Sequence, residues 1–192
     1  MWIYQKKLQY PVNIRKRDLK MAKYLVTQYG GPYGELAAAF KYLNQRYTMP
    51  DDRGKALLTD IGTEELAHVE IICTMIYQLT KGATLDELKE AGLDKHYAQF
   101  GMDLFPTDVE GIPFSAAYLQ ANGDPITNLE TDMASEQQAR STYEHLMDLT
   151  DDLDILGPLS FLRQREIIHY ERFKELRDYY LSKKINHNNK DR

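Results

Sequence analysis

The sequence predicts an all-α fold: a four-helix bundle with one long crossover connection between its second and third helices. Three observations point there. Four segments repeat apolar residues at alternating steps of three and four, which stacks them on one helical face. The joints within each pair of segments, near residues 47–51 and 150–155, are short, as antiparallel hairpins require. Between the second and third segments lie roughly forty residues of different character, and a connection of that length in one domain needs a reason.

The first helical segment lies within residues 18–47. Met21, Leu25, Gln28, Pro32, Glu35, Ala39 and Tyr42 share its stripe. Gly30-Gly31-Pro32 should break it into two shorter helices, because proline removes a donor and clashes with the preceding turn. The second segment runs from 52 to 81, with Asp51 available as its cap. Its stripe is Leu58, Ile61, Glu65, His68, Ile72, Met75 and Leu79. The third covers 125–149, with Pro125 suited to a first turn and Asp124 to the cap. It aligns Ile126, Leu129, Met133, Glu136, Arg140 and Tyr143. The fourth covers 156–181 through Leu159, Leu162, Glu166, His169, Phe173, Leu176 and Tyr180. Within the connection, 84–93 reads as a short helix and the rest as irregular chain. A chain that leaves the second helix and begins a third one parallel to it must cross the length of the bundle, which is the ferritin-like arrangement. Residues 1–182 read as one domain and 183–192 as a polar, disordered tail.

Bulk properties narrow the function. A length of 192 residues suits one well-filled domain. The formal net charge of −5 offers no basic field to gather phosphates, so nucleic acid is not an expected partner. A single cysteine, Cys73, allows no internal disulfide. No apolar run suits a signal peptide or a membrane span, so no membrane partner is expected.

The stripes contain charges that an apolar core does not need. "EELAH" (64–68) and "REIIH" (165–169) each hold Glu-x-x-His. Residues three apart lie about 60° apart around a helix, so Glu65 projects with His68 and Glu166 with His169. Glu64 lies about 100° away and reads as a surface or interface charge. A buried ionised carboxylate must be paired, protonated or bound to metal. The first and third segments add Glu35 and Glu136 on their own stripes. One inward glutamate from each of two helices, and one Glu-x-x-His from each of the other two, is the ligand set of dinuclear carboxylate proteins. Anionic carboxylates offset the repulsion of two divalent ions, and oxygen with imidazole suits manganese or iron.

At these residues the sequence resembles the manganese catalases, the non-haem catalase family, and within it the short members associated with the spore coat. The stretches that carry the likeness are "KKLQYP", "YGGPYGELAAAFKYLNQRY", "LLTDIGTEELAHVEIICTMIYQL", "GDPITNLETDMASEQQARSTYEHL" and "FLRQREIIHYERF". The resemblance implies disproportionation of hydrogen peroxide to water and oxygen at a centre of two manganese ions. It implies that Glu35, Glu65 and His68 bind one ion, that Glu65 bridges to the second, and that Glu136 and His169 bind the second. It implies that Glu166 carries protons near the bridging solvent, although in di-iron relatives the matching glutamate is a direct ligand, and the sequence leaves both roles open. It places Tyr42 close to the metals. It further implies a homo-oligomer, a hexamer, synthesised in the cytoplasm and joined to other spore coat proteins. Family members can carry arginine just before the glutamate of the third helix, where this chain has Ser135. Longer members have a C-terminal tail that wraps neighbouring subunits, and this chain ends soon after the fourth helix, which weakens the hexamer. Two other readings stand beside this one: a di-iron peroxidase or ferroxidase of the rubrerythrin kind with two iron ions, against which no Cys-x-x-Cys module is present, and a structural coat protein with low turnover.

Overall fold

The computed structural model describes residues 7–97 and 103–188, and nearly all regular structure among them is helical. The first predicted segment is broken where proline and glycine demanded it, into α1 (Leu19–Gly30) and α2 (Glu35–Gln45). The long helix α3 spans Asp52–Thr80, α4 is Leu85–Glu90, α5 is Pro125–Met147 and α6 is Leu153–Asn188.

The helix starts follow the side-chain chemistry. Asp18, Asp51 and Asp124 each accept from a backbone N–H in the first turn, at Met21, Gly54 and Thr127, with distances of 2.9, 3.0 and 2.7 Å. Thr84 and Glu87 form a reciprocal capping box on α4. The sequence placed the start of the last helix at 156. It begins earlier because Asp152 accepts from the Asp154 N–H at 2.9 Å through its carboxylate and from the Leu156 N–H at 2.9 Å through its carbonyl. At its other end α6 continues to Asn188, through the start of the segment read as a tail, since neither glycine nor proline stops it. Residues 189–192 of that segment, and residues 1–6 of the domain, lie outside the described residues.

α3 packs along both α1 and α2, and α5 packs along α6, giving two antiparallel layers. The expected crossover joins α3 to α5 through residues 81–124, with α4, a 3₁₀ turn at Ala116–Tyr118 and an isolated bridge between Thr107 and Pro113. This is the ferritin-like fold. The crossover lies directly on α1: a side chain at Gly30 would collide with the Pro106–Thr107 backbone.

The core is in two parts. One end holds Leu25, Ile72, Met75, Tyr143, Leu159 and Leu162. The other holds Tyr42, Leu58, Ile61, Leu129, Phe173 and Leu176. Along α3 the chain passes from Ile61 in one cluster to Ile71 in the other, and between them come the buried Glu65 and His68. α5 and α6 do the same through Glu136 and through Glu166 with His169. Two apolar ends thus enclose a polar middle layer.

Candidate metal centre

The seven residues singled out in the sequence all reach the middle layer. Glu35, Tyr42, Glu65, His68, Glu136, Glu166 and His169 are each at most 2% exposed. Glu35, Glu65, His68 and Glu166 offer side-chain N and O atoms within 4.8 Å of one another. So do Glu65, Glu136, Glu166 and His169. The two groups share Glu65 and Glu166, so each of these carboxylates touches both.

Glu65 lies between the imidazoles. Its Oε2 is 2.7 Å from His68 Nδ1 and its Oε1 is 2.9 Å from His169 Nδ1. His68 Nδ1 also lies 3.6 Å from Glu35 and 3.8 Å from Glu166, while His169 Nδ1 lies 3.6 Å from Glu136. The rings stack at 5.5 Å. Burial acts against ionisation of Glu65, but the two imidazoles outweigh it and hold the carboxyl below its ordinary range. Glu166 behaves in the opposite way. Burial raises it, and Glu35, Glu136 and Glu65 raise it further, so it keeps its proton well above the usual carboxylate range. Burial likewise raises Glu35. For both imidazoles burial favours the neutral form, and Glu65 and the other carboxylates around each ring overcome that and push it up.

The lone glutamates are fixed by tyrosines in a reciprocal pattern. Tyr42 of α2 donates to Glu136 of α5, and Tyr143 of α5 donates to Glu35 of α2. The sequence singled out Tyr42 but gave Tyr143 no role beyond its stripe. Glu-x₆-Tyr occurs at 35–42 and 136–143 but also at 70–77 and 90–97, so the pattern marks these tyrosines only together with the stripes that hold Glu35 and Glu136.

Of the two readings that the angular position of Glu64 left open, surface or interface charge, the structure gives the second. Its side chain is 14% exposed, and it lies behind the two histidines. Its Oε2 is 3.1 Å from His169 Nε2 and its Oε1 is 3.9 Å from His68 Nε2. Arg165 Nε approaches Oε1 at 2.7 Å and Gln9 donates to it at 2.6 Å. Partial burial acts against ionisation, but His169, Arg165 and Gln9 lower the carboxyl to about 2. The i,i+4 relation to His68 was the overlooked clue, because residues four apart are neighbours on a helix. A carboxylate on the outer ring nitrogen fixes the tautomer and turns the inner nitrogen toward the site.

A second buried ion pair adjoins the centre. Lys41 Nζ lies 3.7 Å from Asp132 Oδ1 and donates to Ser135 Oγ at 2.5 Å. Burial raises the Asp132 carboxyl to about 7; Lys41 and Gln45 act against that rise and Glu136 adds to it. A narrow cavity of ≈ 20 Å³ runs beside this pair to the centre, walled by Glu35, Lys41, Tyr42, Tyr118, Ser135 and Glu166.

The donors fit a pair of divalent cations. Glu136 Oε2 and Glu166 Oε1 are buried and have no hydrogen-bond partner among the described residues, a costly arrangement for an apolar interior and a suitable one for a metal. Carboxylate oxygen with imidazole nitrogen matches manganese or iron rather than a thiolate-seeking ion. No helix among the described residues is long and apolar enough to cross a membrane.

Comparison with known proteins agrees with the geometry. A family model for manganese containing catalase matches residues 1–179. The chain is 56% identical over 175 residues to protein CotJC of Bacillus subtilis (strain 168), covering 91% of this chain and 92% of that protein. It is 34% identical over 182 residues to a manganese catalase of Bacillus subtilis, covering 88% of this chain and 67% of that one. The crystal structure of KatB, a manganese catalase from Anabaena, superposes with a TM-score of 0.84 at 33% identity, over 94% of this chain and 81% of that one. With the family match spanning nearly the whole chain and the buried glutamates and histidines in two overlapping clusters, this chain belongs to the manganese containing catalase family.

Proposed function

We propose that this chain is a working catalase, which turns two molecules of hydrogen peroxide into two of water and one of oxygen. The observation that carries the reading is the pair of overlapping donor groups that share Glu65 and Glu166. Glu35, Glu65 and His68 would hold one manganese ion, and Glu65, Glu136 and His169 the other. When bound, two manganese ions supply the two-electron exchange: one peroxide accepts the electrons and becomes water, and a second returns them and leaves as oxygen.

The chain's own residues do the rest. Tyr42 and Tyr143 fix the orientation of Glu136 and Glu35. Glu64 holds His169 with Nδ1 inward. Glu166 lines the cavity, its Oε1 is buried without a hydrogen-bond partner among the described residues, and burial with the neighbouring carboxylates raises its carboxyl well above the usual carboxylate range. That carboxyl can give its proton to the departing water and, once ionised, take one back from the next peroxide. The narrow cavity admits a molecule of peroxide's size and excludes larger reductants.

Likeness to CotJC supports a place in the spore coat for this chain. Manganese-loaded protein should evolve oxygen from peroxide, and protein expressed with both metals present should be purified with manganese. Absence of oxygen evolution from fully loaded protein overturns the reading. Iron in the purified protein, with peroxide reduced only when an electron donor is added, would favour the di-iron peroxidase instead.

A further inference from the structure

Lys41 is a cation in a place where a helical bundle rarely keeps one. Only 6% of the residue reaches solvent. Its Nζ is 5.0 Å from the centre of the Tyr42 ring, beside the hydrogen bond to Ser135 and the ion pair with Asp132. The Ser135 hydroxyl donates its proton to the Thr131 carbonyl at 3.0 Å, which leaves its lone pairs for Lys41. Asp132, fully buried, supplies the opposite charge that makes a buried ammonium tolerable.

An ammonium has three N–H donors. Ser135 takes one, and Asp132 lies at ion-pair distance. A donor remains, and Lys41 is part of the wall of the ≈ 20 Å³ cavity that also touches Glu35, Tyr42 and Glu166. That volume exceeds the roughly 10–15 Å³ that one water needs, so a molecule a little larger than water fits. An occupant must be small and must accept a hydrogen bond from Lys41; a bulky molecule, or a cation facing the ammonium, does not satisfy this.

We propose that Lys41 is the positioning residue of this cavity, its ammonium holding one oxygen of hydrogen peroxide, or one end of a small linear anion such as azide, beside Tyr42 and facing Glu166. The assignment rests on the catalase reading for its natural ligand, but the anion arm is independent of turnover. A purely structural Lys41, serving only to neutralise Asp132, would leave both ligands unaffected once the two charges are removed together.

The test uses full-length, manganese-loaded protein: wild type, Lys41→Met, Lys41→Arg and the double variant Lys41→Met/Asp132→Asn. Azide affinity is followed by optical titration, peroxide kinetics by oxygen evolution, and manganese content and thermal unfolding on the same samples. Loss of one charge-assisted hydrogen bond should raise the azide Kd and the peroxide KM roughly ten- to a hundredfold in Lys41→Met, with kcat falling much less. Lys41→Arg should recover most of the azide affinity. Since Lys41→Met strands Asp132, the double variant decides any case of misfolding. Wild-type azide affinity and KM in the double variant overturn the proposal. So does loss of manganese from the double variant, which would make Lys41 part of the framework alone. If wild type evolves no oxygen while azide still weakens on loss of Lys41, the catalase reading fails and the Lys41 assignment stands.

Discussion

The two halves of the metal layer are copies in placement and opposites in charge. Glu35, Tyr42, Glu65 and His68 of α2 and α3 recur as Glu136, Tyr143, Glu166 and His169 of α5 and α6, each at the 101-residue separation that also relates Glu64 to Arg165. The tyrosine exchange between the halves is reciprocal. The symmetry ends one residue before each Glu-x-x-His. Glu64 precedes the first and Arg165 the second, and they pair with each other at 2.7 Å. Glu64 also takes His169. Glu65 is left between two imidazoles and ionises readily, while Glu166 faces three carboxylates and retains its proton. A twofold placement of ligands with unequal surroundings gives one glutamate suited to bridging cations and one suited to moving protons.

The largest effects should come from testing that inequality directly. Glu65→Gln should abolish tight manganese binding and oxygen evolution together. Glu166→Gln keeps the shape but removes the transferable proton, so manganese content should stay near wild type while kcat falls about a hundredfold or more. Metal analysis beside oxygen evolution separates the two. Equal loss of manganese in both variants would make the halves equivalent and Glu166 a ligand.

Next in size is the residue at which the symmetry breaks. Glu64→Gln leaves His169 without its anionic support, and such partners typically contribute ten- to a hundredfold in metal affinity, so manganese affinity should fall by about that factor. Competition with a chelator measures it. An unchanged affinity would mean that the copper-bottomed symmetry of the ligands alone sets the binding, with no contribution from the charge behind His169.

The paired tyrosines test the equality that remains. Tyr42→Phe and Tyr143→Phe each leave a buried carboxylate oxygen without its donor, at a cost of about 1–3 kcal/mol in stability. The two losses should be similar. Only Tyr42 lines the cavity, so Tyr42→Phe alone should also slow turnover. Denaturant unfolding and oxygen evolution on both variants check the pair, and a loss of activity from Tyr143→Phe equal to that from Tyr42→Phe would contradict it.

Much of this layer was legible in the sequence because helix periodicity reports direction. Glu65, His68, Glu166 and His169 stand in apolar stripes, and burial follows from that. The break at Gly31–Pro32 and the caps at Asp51 and Asp124 follow from local backbone chemistry and were equally readable. Glu64 was read as a surface or interface charge outside the site, and its contact with His169 was not foreseen because angle on one helix does not show what packs against it. Whether a flank is wet depends on the helix packed against it, and here Arg165 and His169 of α6 cover it. Lys41 and Asp132 were missed for the same reason. Neither is notable alone, and their meaning arises only when α2 and α5 meet 94 residues apart in sequence at Lys41 and Ser135.

The smallest effect, and the most direct reading of the charge difference, is in acid. The Glu64 carboxyl is lowered to about 2 in the folded chain, below its ordinary value of 4.5. A carboxyl whose folded pKa is depressed binds fewer protons folded than unfolded, so it adds stability that is fully present above about 4.5 and fades as pH falls toward 2. In wild type this contribution should steepen the loss of stability across that window. Glu64→Gln has no such proton to take up, so its stability should start lower near neutrality and decline less steeply in acid. The comparison is made by denaturant unfolding of the metal-free proteins at a series of pH values, so that metal release adds nothing to the slope. Because Glu64 is partly open to water, solvent screening keeps the difference modest. Parallel curves for the two proteins would show that His169 and Arg165 do not favour the ionised carboxylate, and with that the proposed origin of the inequality between the halves would be lost.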